Sequence, residues 1–168
     1  MKKVLLFLGG LIMMACTEAN AQAGRTGIGI RLTPDGAGFT GKHFIDRNLA
    51  FEGQLNAGGI FGEEGTSFTA VALLEYHIPL PDPSWRVFFG GGAHAGVWDH
   101  GDRYYRDRYY DSDKEGILGI DGIGGVEYVF KHAPIGLSAD FKPAINFLSD
   151  VDFFPHNMFG FSARYYFR

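Results

Sequence analysis

The sequence predicts an all-β fold, an eight-stranded antiparallel up-and-down transmembrane β-barrel, on three observations. Apolar and polar residues alternate in segment after segment. No stretch beyond the first residues carries a helical period. The apolar face that the alternation defines is too voluminous for the interior of a small barrel.

The last segment is the clearest. From Phe159 to Phe167 one face carries Phe159, Phe161, Ala163, Tyr165 and Phe167, and the other Gly160, Ser162, Arg164 and Tyr166. Period two over nine residues is the mark of a strand with one apolar and one polar side. Before it, Ile135, Leu137, Ala139, Phe141, Pro143, Ile145 and Phe147 alternate with Gly136, Ser138, Asp140, Lys142, Ala144 and Asn146. Pro143 removes a ladder donor in mid-strand, which predicts a local bulge. Further back, Leu118, Ile120, Val126, Tyr128 and Phe130 oppose Asp121, Gly125 and Glu127. Trp85, Val87, Phe89, Ala93, Ala95 and Val97 oppose Arg86, Gly90, Gly92, His94 and Gly96. Phe68, Ala70, Ala72, Leu74, Tyr76 and Ile78 oppose Thr69, Glu75 and His77. Leu49, Phe51 and Leu55 oppose Glu52, Gln54 and Asn56, and Ile28, Ile30 and Leu32 oppose Gly29, Arg31 and Thr33. The weakest strand is 38–44, where Phe39 opposes Thr40 and Lys42.

Connections at 46–47, 79–84 and 131–133 are short, and those at 58–65, 99–115 and 148–156 are longer. If both termini lie at one end, the short turns share it, as in a bacterial outer-membrane barrel. The brief first connection at 34–37 departs from that pattern.

Volume decides which face points outward. More than thirty aliphatic and aromatic side chains lie on the apolar face, whereas eight strands enclose a space barely wide enough for their own inward residues. Against water they would form a patch far beyond what soluble proteins expose. The polar face therefore lines the lumen, with Arg31, Lys42, Arg86, Lys142 and Arg164 against Glu52, Glu75, Asp121, Glu127 and Asp140. Buried charges are tolerated when paired, so this balance predicts a plugged lumen. Aromatics near strand ends match interfacial girdles.

Residues 1–23 read as a signal peptide. Lys2 and Lys3 precede an apolar stretch too short to span a bilayer, and cleavage after Ala21 or Ala23 satisfies the small-residue rule. The barrel domain is then 24–168. Lipidation at Cys16, the one cysteine, is a competing reading that Met13-Met14-Ala15 fits poorly; cleavage would otherwise leave a chain without disulfides. A net charge of −4 argues against nucleic acid as a partner.

Leu74-Glu-Tyr-His77, Gly90-Gly-Gly-Ala-His94, Gly125-Val-Glu-Tyr-Val-Phe130 and Arg164-Tyr-Tyr-Phe167 resemble the small outer-membrane β-barrel domain proteins of Gram-negative bacteria, of OmpA/OmpX type. The resemblance implies export to the outer membrane and contact with its lipid, lipopolysaccharide and assembly machinery. A monomer without cofactor is expected.

Motifs with chemistry are few. Gly36-x-Gly38-x-x-Gly41 matches a dinucleotide fingerprint, but no helical period follows to hold a pyrophosphate. The six histidines have no ligand-like spacing, although His94 and Glu75 could share the lumen. The fragment 111–116 has oxygen ligands on alternate residues but lacks the full calcium-loop signature. No enzyme is predicted. The loop 99–115 repeats charge and aromatics in Arg103-Tyr104-Tyr105 and Arg108-Tyr109-Tyr110, side chains enriched at binding hot spots. A structural or surface-interaction role through such loops is the leading expectation. The alternatives are a narrow channel or carrier for a small solute, and a soluble lipocalin-like periplasmic binder.

Overall fold

The structure, a computed structural model, describes residues 25–61, 66–99, 114–147 and 158–167. The leader 1–23 and the tyrosine–arginine repeat of the 99–115 loop lie outside these residues. Nine strands form one sheet: β1 (Thr26–Leu32), β2 (Ala37–Phe44), β3 (Leu49–Gly58), β4 (Thr66–Pro79), β5 (Trp85–Asp99), β6 (Lys114–Val129), β7 (Ile135–Phe141), β8 (Ala144–Asn146) and β9 (Phe159–Phe167). Every neighbouring pair is antiparallel. The circle closes where Thr26 of β1 faces Phe167 of β9. Because β7 and β8 are two halves of one stave, both paired with β6, the barrel has eight strands.

Register follows from the alternation. Stepping from Ile135 through Tyr165, Ile28, Gly41, Gly53, Ala72, Ala93, Ile120 and Ile145 returns to the starting stave ten residues further on. A shear of ten on eight staves is even, so the outward face stays outward around the whole circuit, with strands tilted by roughly 35–45°. The residues the sequence places on the apolar face point outward: Phe39, Phe161, Phe159 and Ile28 are among the most exposed side chains.

The stave containing Pro143 corrects one expectation. Phe141 faces Gly124 and Ala144 faces Asp121, so the register runs through the proline unbroken and there is no bulge. Gly122 N–H still donates to the Pro143 carbonyl at 2.8 Å. In an antiparallel ladder that position exchanges two bonds, and only the return bond, which needs the missing proline N–H, is lost.

Three connections (45–48, 80–84 and 130–134) and the chain's described ends gather at one end, here the turn end. Asp82 shapes the second of them, accepting from Ser84 N–H at 3.1 Å and pairing with Lys131 at 3.2 Å. The Ser84 amide, and then Lys131, hold its carboxyl below the usual aspartate range. At the opposite, loop end the first connection is only Pro34-Asp35, between the bonded pair Thr33 and Gly36. It need not be long because it is tied to the next hairpin. Asp35 accepts from Gly59 N–H at 2.8 Å, and Gly59 makes that bend at φ 78°, where glycine is favoured.

The inward face is less uniformly polar than the alternation implies. Val71, Leu73, Phe88 and Ile123 form one buried apolar cluster, and Phe44, Ala50 and Tyr166 a second towards the turn end. Glycines make room for the large members. A Cβ on Gly27 or Gly136 would stand 2.6 or 2.7 Å from the Tyr166 ring, so the two glycines flank it. Substituting Gly136→Ala should therefore cost about 1–3 kcal/mol of stability through overpacking, measured by urea unfolding in micelles. The loss should shrink in a Tyr166→Ala background, because the two positions share one contact.

Candidate functional site

The lumen is the one place where the strands bring polar side chains together, and three groupings fill it. Nearest the turn end is a cluster around Lys42, whose ammonium lies 3.0 Å from Glu52 and 2.7 Å from Glu75. Arg164 donates to Glu52 at 2.7 Å, to Ser138 at 2.8 Å and to Thr40 at 3.2 Å, and lies 3.7 Å from Glu127. Tyr166 donates its hydroxyl to Glu127 at 2.5 Å. His77 bridges two carboxylates, 3.0 Å from Glu75 and 3.8 Å from Glu127. Gln54 adds a donor to Glu52 at 2.8 Å. Lys42, Glu52, Glu75 and Glu127 have no measurable exposure.

Towards the loop end, Arg31 grips Asp140 with both terminal nitrogens, at 2.5 and 2.7 Å. This two-pronged geometry is the strong form of the arginine–carboxylate pair. It needs Gly160 on β9, where a Cβ would stand 2.0 Å from the guanidinium. Beside it Asp121 takes Lys142 at 2.7 Å and His94 at 2.8 Å, and His94 reaches Asn146 at 2.7 Å with its other nitrogen.

Of the ten charges the sequence places on the polar face, the structure brings nine into ion pairs. The tenth, Arg86, faces the lumen at the turn end, and no carboxylate among the described residues lies within ion-pairing distance. Its guanidinium lies instead 5.3 Å from the centre of the Phe44 ring. His94 and Glu75 do not share a site, since His94 belongs to Asp121 and Glu75 to Lys42 and His77. The contact residues Arg103, Tyr104, Tyr105, Arg108, Tyr109 and Tyr110 lie outside the described residues, as does most of the acidic fragment 111–116.

The other partners of the network were less legible than its Lys, Arg, Asp and Glu residues. Thr40, Gln54, His77 and Tyr166 each sit two residues from a lumen charge, at Lys42, Glu52, Glu75 and Arg164. Period two puts each pair on the same face, and that was the available signal. Phe88 and Ile123 carried no such mark, because an apolar residue reads the same on either face.

The arrangement holds charge fixed within the lumen. Every carboxylate in it is engaged by a cation, and no group of three or more histidine, cysteine, aspartate or glutamate side chains among the described residues is placed to hold a metal. The Gly36–Gly41 fingerprint lies in a turn and in β2, with no helix to receive a phosphate.

No family model matches the chain, and no curated protein matches it. Among solved structures, the crystal structure of the N-terminal β-barrel domain of Pseudomonas aeruginosa OprF is similar in fold. It superposes with a TM-score of 0.63 at 12% identity, covering 85% of this chain and 96% of that one. At that identity the likeness concerns the fold: a closed, eight-stranded antiparallel barrel.

Breaking one pair should cost more than removing it. Asp140→Leu alone leaves Arg31 buried and uncompensated, with an expected loss of about 3–5 kcal/mol, whereas Arg31→Met with Asp140→Leu should recover most of it. Urea unfolding of the two variants makes the comparison.

Proposed function

We propose that this protein is an integral outer-membrane β-barrel with a lumen closed by ion pairs, and that it serves a structural or surface-interaction role through its loop end. The carrying observation is the outer face. The register line Ile30, Phe39, Leu55, Ala70, Ala95 and Leu118 is apolar at each step around six consecutive staves. Phe161 and Phe159 extend it onto β9, where Phe161 is 65% exposed. An apolar belt of this extent has no stable counterpart against water, and hydrocarbon is the solvent that accommodates it.

Backbone chemistry supports the same reading. A bilayer core tolerates a sheet only when no edge is left unpaired, and this sheet closes on itself. Strands β4, β5 and β6 have 14, 15 and 16 residues, beyond the 9–11 or so a tilted strand needs to cross. Outward aromatics pair near the turn end, Trp85 with Tyr128 at 4.9 Å and Tyr165 with Phe167 at 5.3 Å. Such rings suit the interfacial level. Short turns would face the periplasm and the longer connections the exterior, which makes the loop 99–115 the working surface. Lipid, lipopolysaccharide and the assembly machinery are then the expected partners of a monomeric, non-enzymatic barrel.

Closure of the lumen follows from its contents. Arg31 with Asp140, and Lys42 and Arg164 with Glu52 and Glu75, span the cross-section with their charges engaged, which supports a lumen closed to solutes. The membrane-extracted protein reconstituted in liposomes should therefore show no leak of small ions, and replacing Lys42, Glu52 and Arg164 together by alanine should open one. Conductance in the unsubstituted protein would sink the plug and favour a channel.

The membrane assignment rests on a separate measurement. Extraction only by detergent and a heat-dependent shift on gels are expected; release into the aqueous fraction would refute it. Ala72 lies midway on β4 between outward Tyr76 and Phe68, so Ala72→Arg should destabilise the barrel in bilayers by about 2–4 kcal/mol.

A further inference from the structure

Arg86 is the one lumen charge with no counter-ion among the described residues, and its surroundings are built. Its cross-strand neighbour is Glu127, on the same inward face. That carboxylate is turned away, taken by the Tyr166 hydroxyl at 2.5 Å and by Arg164 at 3.7 Å. Arg86 points towards the turn end instead, over the Phe44 ring. Its Nε is enclosed by protein, with no hydrogen-bond partner among the described residues. The side chain as a whole is only half-buried, so its terminal nitrogens are left to an acceptor from outside.

The space beside it is a cavity of about 400 Å³ opening at the turn end, within the range of small-ligand sites. Arg86, Arg25 and Arg47 line it, against a single carboxylate, Asp46, which accepts the Arg47 backbone N–H at 2.7 Å. Arg25 lies over the Tyr166 ring at 5.4 Å, as Arg86 lies over Phe44, so both guanidinium planes are held by aromatic faces. Phe44 and Pro79 give the cavity apolar walls. Below it, His77 packs against Phe44 at 4.9 Å between ring centres and stands between the mouth and Glu75. The three carboxylates beneath, Glu52, Glu75 and Glu127, are each engaged by Lys42 or Arg164, and the His77 ring separates them from the mouth.

We propose that the turn-end mouth is a binding site for a carboxylate carried on an apolar stem, such as a small organic acid or an acidic side chain of a peptide, with Arg86 as its anchoring fork. Planar, two-pronged guanidinium recognition favours a carboxylate, and the phenyl and proline walls accommodate the stem. The site itself stands on lumen geometry alone. Its placement on the periplasmic side rests on the membrane reading.

The test uses the folded, membrane-extracted protein in neutral micelles at constant ionic strength, titrated with citrate and, separately, with a tetraglutamate peptide, followed by backbone amide shifts. Saturable shifts should concentrate at residues 44–48 and 86. Arg86→Gln should weaken binding at least about tenfold, the worth of one charge-assisted hydrogen bond, and Arg86→Lys should restore only part of it. Lys131→Gln removes the same charge from an exposed turn at the same end and should leave affinity unchanged. Because Arg86 belongs to no ion pair among the described residues, its variants should keep the heat-dependent gel shift; Arg25→Gln offers a second weakening if they do not. The proposal is overturned by absence of saturation, by equal weakening in Lys131→Gln, or by affinity unaltered in Arg86→Gln and Arg25→Gln. Saturation by inorganic phosphate but by neither carboxylate probe would overturn the ligand class. Aqueous release of the protein would refute the membrane reading and leave citrate binding intact, so the two failures are distinguishable.

Discussion

Closure of the hydrogen-bonded circle between β1 and β9 is the constraint on which the remainder of the structure depends. Thr26 facing Phe167 and Leu32 facing Phe161 join the first and last strands, so that the staves form a closed circle. Once closed with a shear of ten, the sheet has a fixed radius and tilt. Each residue of each strand is then committed to the lumen or to the outside. The same closure pairs the long staves on both sides, which a proposed hydrocarbon surrounding would require.

The radius sets the terms for what lies inside. An interior this narrow admits large side chains only where the wall opposite is bare, and the inward glycines supply that relief: Gly160 for the Arg31 guanidinium, Gly27 and Gly136 for the Tyr166 ring. Charges removed from water here must find one another, and they do so in three neighbouring groups rather than one chain, Asp121 with Lys142 and His94 being one of them. The cluster around Lys42 ties together β2, β3, β4, β6 and β9; the pair of Arg31 with Asp140 joins β1 to β7 across the lumen. Buried ion pairs add little net stability over apolar packing of the same volume. Their effect is to cross-link staves, while Val71, Leu73, Phe88 and Ile123 supply ordinary apolar packing against one wall.

The two ends of the barrel differ in chemistry. At the loop end the charges are paired, and the first hairpin is held to the second by Asp35. At the turn end three arginines and Asp46 line an open cavity, and the carboxylates of the Lys42 cluster lie deeper, already engaged. A lumen closed as proposed would leave binding to the mouths and loops of the barrel.

The sequence by itself determined the strands, their faces and the list of lumen charges, because period-two alternation is a local property that survives without knowing the neighbours. It also placed Tyr166 and His77 on the correct face through their spacing from Arg164 and Glu75. The tertiary structure alone decided which charge meets which, since partners such as Arg31 and Asp140 are joined only by register around the circle. It decided that Pro143 costs one hydrogen bond and no bulge, because the ladder on both sides holds the register. It showed that Phe44 and Phe88 point inward, where an apolar side chain in an apolar-rich strand gives no sign of direction. And it separated Arg86 from the nine charges it resembles in sequence: its neighbour Glu127 had a stronger claim from Tyr166 and Arg164, a competition that only three-dimensional distances resolve.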